Sequence, residues 1–158
     1  MNPKILQVQG FTVVGFTART NNAKEMTPAG AIGKLWGRLM QEKPKIPNRA
    51  DENIVAVYTD YASDKDGDYT YILGAKVSKA AEIPAGMVAK QIMTGKYAVF
   101  TSNRGPASKV VPETWQRINN LPKTVPGGDR TYRSDFEVYD ERARNLQDAI
   151  VDVYVGVS

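Results

Sequence analysis

The chain has 158 residues, 42% apolar and 24% charged, with no cysteine, no histidine and a formal net charge of +4. That length suits one domain with a real core or two tightly fused half-size modules; the missing residue types exclude disulfides, thiolate chemistry and the commonest general base and metal ligand. No apolar run approaches the ~20 residues of a membrane-spanning helix, MNPKILQVQG does not read as a secretory leader, and the 21 Lys and Arg are spread rather than gathered into a nucleic-acid-binding stripe.

Residues 11–20 (FTVVGFTART) carry β-branched and aromatic side chains and predict a strand. Thr27-Pro28 then offers a hydroxyl cap and a first-turn proline. Ile32, Leu35, Trp36 and Leu39 follow at helical spacing as far as Pro44, so a helix is expected to begin near Pro28. Residues 53–60 (NIVAVYTD) and 69–77 (YTYILGAKV) predict two strands, joined as a hairpin through the Asp-Gly of SDKDGD. The acid spacing there resembles a calcium loop but lacks the rest of the twelve-residue pattern, so a turn is expected and no metal or cofactor.

After Pro84 the plan restarts. MVAKQIM and YAVFTS are extended, a second helix is expected from Pro112 through PETWQRINNL, and SDFEVYD (134–140) and VDVYVGV (151–157) close the chain as strands. LWGRLM and TWQRIN share Trp-x-Arg at an offset of 79; Phe16-Thr17 and Phe100-Thr101 lie 84 apart, and Gly74 and Gly156 lie 82 apart. Offsets so close and in the same order point to a duplication. The expected organisation is a single domain over 1–158 with two pseudo-repeats, about 8–80 and 85–158. Its expected class is α+β: duplicated strand–helix–strand–strand modules forming one antiparallel sheet, with two helices flanking a groove.

In SDFEVYD, alternation sends Asp135, Glu137 and Tyr139 to one side and Phe136 and Val138 to the other. Glu137 then stands either on the wet face of a half-buried sheet or at the base of a pocket that receives a cation. The offset of 79 relates Glu137 to Tyr58. Trp36 and Trp115 lie on the apolar faces of their helices, as core or as groove walls, and Tyr58, Tyr71 and Tyr97 are strand tyrosines that would line the same groove.

The run VAVYTDYASDKDGDYTYILGAKV, followed by IPAGMVAKQIMTGKYAVFTS, TWQRI and DFEVYD, resembles the effector-binding domains of AraC-type transcription factors, in the gyrase-inhibitor-like superfamily of small-molecule binders. It is similar in particular to integron-cassette members described as cationic drug-binding modules. The resemblance spans about Phe11 to Val157. It implies a non-enzymatic module that takes a lipophilic cation in an aromatic groove with Glu137 as counter-charge; a cytoplasmic location is the expectation from the missing cysteines and leader. It also implies the stand-alone form, without a DNA-binding segment, so that any regulator would be a separate protein. Two other readings stay open: a hydrolase of reactive natural products with Glu137 as base, with Asp135 helping if it shares the groove, and a protein-inhibiting interaction module.

Overall fold

The computed structural model of the chain describes residues 3–121, 124–125 and 128–158. Strands β1 (Lys4–Val8), β2 (Phe11–Thr20), β3 (Ile54–Thr59), β4 (Tyr69–Val77), β5 (Met87–Ile92), β6 (Gly95–Thr101), β7 (Thr124–Val125), β8 (Gly128–Tyr139) and β9 (Asp152–Val157) are joined by helices α1 (Asn22–Glu25), α2 (Ile32–Glu42) and α3 (Ala107–Asn119). A 3₁₀ turn occupies Glu141–Ala143. All strand pairings are antiparallel, in the order β1-β6-β9-β8-β3-β4-β2-β5, with the short β7 added beside β8.

That order is symmetric about the β8/β3 seam. On one side stand β3, β4 and β2 with helix α2; on the other stand β8, β9 and β6 with helix α3. Each unit is a strand–helix–strand–strand run. The strand leading into each unit crosses over to flank the other, β1 on β6 and β5 on β2.

The two faces of the sheet are buried differently. Val14, Phe16, Ala56, Tyr71, Leu73 and Tyr139 meet Leu39 and Trp36 of α2 and Val111 and Trp115 of α3. On the other face Phe11, Val13, Val55, Val57, Ile72, Ile92, Tyr97 and Phe136 form a core without either helix. The sheet covers that face by curling: the ring of Phe11 on β2 meets that of Phe136 on β8, with two strands between them, at 5.1 Å between centroids. Gly15 and Gly74 face each other between β2 and β4, and a Cβ on Gly74 would collide with the Val14 carbonyl oxygen. Two side chains could not occupy that close approach.

Both helices begin elsewhere than their prolines suggest. Residues 27–30 form a bend and turn, and α2 starts at Ile32. Its cap is Glu25, whose carboxylate accepts from the Ala31 and Ile32 amides at 2.8 and 3.0 Å. The Thr27 hydroxyl instead accepts from the Ala29 amide and donates to the Lys24 carbonyl, closing its own local turn. Helix α3 starts at Ala107, so Pro112 lies inside it rather than at its first position. At the far end of α2, Lys43 adopts the left-handed conformation (φ 44°) and donates its amide to the Leu39 carbonyl, and Pro44 follows.

Candidate functional site

Strand β8 lies at the middle of the sheet, and its helix-facing residues are Asp135, Glu137 and Tyr139. The register sets Tyr58 opposite Asp135, Ala56 opposite Glu137 and Ile54 opposite Tyr139. The methyl side chain of Ala56 leaves the Glu137 carboxylate room to stand over the seam. The wet-face expectation for this row fails: Asp135 is 0% and Glu137 1% exposed. Helices cover this face of the sheet, and water does not.

Three neutral donors converge on the glutamate. Its Oε2 accepts from the Tyr58 hydroxyl and the Trp115 indole N–H, each at 2.6 Å, and its Oε1 accepts from the Tyr139 hydroxyl at 2.7 Å. These donors come from β3, α3 and β8, so the carboxylate ties both halves of the sheet to one helix. Trp36 of α2 completes the ring: its indole N–H donates to the Tyr71 hydroxyl at 2.9 Å, and its ring meets that of Tyr139 edge-on at 4.7 Å. Tyr58 lies 5.1 Å from Tyr71 and 5.0 Å from Trp115, both in T-shaped contact.

Burial pushes the Glu137 carboxyl above the usual carboxylate range, and the bonds from Tyr58, Trp115 and Tyr139 oppose that rise. Burial and then the charge of Glu137 hold the Tyr58, Tyr71 and Tyr139 hydroxyls well above the ordinary tyrosine value, so they are neutral donors. Among the described residues no Lys or Arg forms an ion pair with Glu137. Asp135, two residues earlier, is paired: Arg130 Nη2 lies 3.0 Å from its Oδ2. The Tyr61 hydroxyl and the Gly156 amide supply its other bonds, at 2.6 and 2.8 Å.

Five of the six residues singled out from the sequence are thus together: Glu137, Trp36, Trp115, Tyr58 and Tyr71. Tyr97 is the correction. It projects from the opposite face of β6, packs against Phe136 and Tyr154 in the helix-free core and cannot reach the groove. Tyr139 joins this cluster through its bond to Glu137, and the alternation in SDFEVYD already placed it on Glu137's side. Behind it, at one end of the helix-covered face, opens a cavity of about 310 Å³ lined by Met40, Ile54, Tyr139, Ala143 and Leu146, with Arg49, Glu52 and Arg144 at its charged part. That volume is at the small end for ligand sites. The Tyr139 ring is the shared wall between this cavity and the carboxylate.

The fold that carries this cluster recurs in known proteins. Residues 4–157 match the Cass2 family of integron-associated effector binding proteins. The chain belongs to that family. Among curated relatives, YobU of Bacillus subtilis, which carries the name of a transcriptional regulator, is 35% identical over 146 residues, 90% of this chain and 89% of that one. The transcriptional regulator BrlR of Pseudomonas aeruginosa is 30% identical over 159 residues, and there this chain spans 56% of the longer protein. Of solved structures, the integron cassette protein VCH_CASS2 of Vibrio cholerae superposes with a TM-score of 0.76 at 27% identity, over 99% of this chain and 96% of that one. SAV2435, solved bound to tetraphenylphosphonium, gives 0.75 at 20% identity over 100% and 94%. This Cass2-family chain is therefore an α+β effector-binding protein. Among its described residues no helix is long and apolar enough to cross a membrane.

Proposed function

We propose that the protein binds hydrophobic monocations, without converting them, in the aromatic groove between α2 and α3, with Glu137 as their counter-charge. The observation that carries this is a carboxylate 1% exposed whose hydrogen-bond donors, among the described residues, are all uncharged. A buried anion without a cation is costly, and structural carboxylates at such depth are normally paired. Asp135, two residues earlier on the same strand, is paired in this way. Trp36, Trp115, Tyr58 and Tyr71 supply π-faces, and a desolvated cation over such a face gains about 2 kcal/mol. Flat rings and one charge impose few directional demands, which suits a site accepting many related compounds. The phosphonium cation held by SAV2435 on the same fold is of this chemical class.

The rings of the groove pack against one another. A ligand enters by displacing an aromatic side chain and taking over its contact with Glu137. The Tyr139 wall, with open volume behind it, is the natural place for that exchange. The test is titration with a lipophilic cation and a neutral molecule of matched shape, read by tryptophan fluorescence, since both tryptophans border the groove. The cation binds more tightly on this reading, and equal affinities would show that apolar burial alone drives binding. Mass spectrometry of the recovered ligand checks that it leaves unchanged; a hydrolysed product would favour Glu137 as a general base.

A further inference from the structure

Asp135 and Glu137 both face the groove side of β8, and among the described residues Asp135 has a cationic partner and Glu137 has none. The partner of Asp135 is Arg130, from the same strand across an irregularity in the β8–β9 ladder. The Arg130 side chain is 6% exposed and that of Asp135 1%. The guanidinium carbon lies 4.4 Å from the Tyr132 ring centroid and 5.8 Å from that of Trp115. Its Nη1 donates to Asn119 Oδ1 at the end of α3, and its Nε is buried without a hydrogen-bond partner among the described residues. A flat cation over aromatic faces, neutralised by a buried carboxylate, is what the groove next door is proposed to offer a ligand. Trp115 belongs to both settings, touching Arg130 with its ring and Glu137 with its N–H.

We infer that Arg130 is a resident cation filling a second carboxylate subsite at Asp135, and that it thereby restricts the groove to ligands of single positive charge. The inference rests on the reading of Glu137 as the ligand's counter-charge. Two residues along a strand separate the carboxylates by about 7 Å, the spacing of two charges on one rigid biaryl. With Arg130 in place, the groove presents one net negative charge. A dication that satisfies Glu137 then brings its second charge toward a guanidinium that cannot leave. Without Arg130, both carboxylates face the ligand.

Three small molecules of similar outline test this: methyl viologen as dication, N-methyl-4-phenylpyridinium as monocation, and 4-phenylpyridine at a mildly basic pH as the neutral form. The wild type should bind the monocation most tightly. In Arg130→Met the ratio of dication to monocation affinity should rise about tenfold to a hundredfold, the scale of one charge contact at this distance in a partly desolvated site. Arg130→Lys keeps the charge and should keep the wild-type ratio. Asp135→Asn leaves Arg130 uncompensated, so it should weaken the monocation about tenfold while sparing the neutral compound.

A wild type that prefers the monocation to the neutral compound yet binds the dication as tightly overturns the role of Arg130 and leaves that of Glu137 standing. A wild type that binds monocation and neutral compound alike sinks the reading of Glu137, and this inference with it. A folded Arg130→Met with an unchanged ratio, or a folded Asp135→Asn with unchanged monocation affinity, also overturns the inference. Melting curves establish folding, and if one variant does not fold, the other and the wild-type comparison decide.

Discussion

Glu137 and Asp135 are chemically near-equivalent, stand on one strand and face one side, yet their surroundings differ in charge. Asp135 has a guanidinium at 3.0 Å, whereas Glu137 has two tyrosines and a tryptophan. Glu137→Gln keeps the shape and removes the charge. Cation affinity should fall by about 1.5–3 kcal/mol, roughly tenfold to a hundredfold, with neutral ligands little changed. The empty variant should melt no lower than wild type, because a poorly solvated anion has gone.

The pH dependence follows from the same burial. A carboxyl held above its unfolded value contributes stability that is present at low pH and lost as pH rises through its folded value. Cation affinity moves the other way, rising as Glu137 ionises. The difference between wild-type and Glu137→Gln melting curves should therefore grow with pH above the ordinary carboxylate value of about 4.3. A difference measurement is needed because Glu25 and Asp140 are held below their ordinary values and oppose the trend. Alternation within SDFEVYD was enough to align Asp135, Glu137 and Tyr139. It could not orient Tyr97, because both faces of β6 are apolar and buried and its pattern carries no inside or outside. The Arg130–Asp135 pair was likewise invisible, since it spans an irregular ladder that no regular spacing anticipates.

At the scale of elements, most strands were legible from composition, and β2 and β4 end where their β-branched and aromatic runs end; β1 and the first half of β8, which lack such runs, were not. The helix starts were not. Proline at a first turn is a favourable signal, but it competes with whatever cap the tertiary structure provides, and Glu25 supplies one four residues beyond Pro28. In α3 the first turn is set by Pro106, whose carbonyl accepts from the Val110 amide, which leaves Pro112 six positions in. An interior proline removes one helical hydrogen bond and crowds the preceding turn. Pro112 is exposed, so no packing offsets that loss. Pro112→Ala should raise stability by about 1–2 kcal/mol in chemical denaturation, less than the ~3 kcal/mol helix penalty because proline also restricts the unfolded chain. Ligand affinity should not move. A neutral or destabilising result would mean that the proline sets the angle at which Trp115 reaches Glu137.

For the whole molecule, the decisive feature is that no single unit owns the site. Glu137 comes from β8 and Trp115 from α3, while Tyr58, Tyr71 and Trp36 come from β3, β4 and α2, on the other side of a seam of six residue pairs. A ligand that needs all of them binds only when the seam is closed, so its binding energy opposes any opening that separates the units. By mass action, a cation at 100 times its Kd should add about 2.7 kcal/mol to stability. Hydrogen exchange locates that gain. On this account the amides of β4 and β9, each central to its own unit, should slow together and by the same factor in saturating cation. Selective slowing of α2 and α3 amides would instead show that the helices lift from a sheet that stays intact. In that case ligands would enter by helix detachment rather than past Tyr139, and Tyr139→Phe, which removes one hydrogen bond to Glu137, would leave the association rate unchanged.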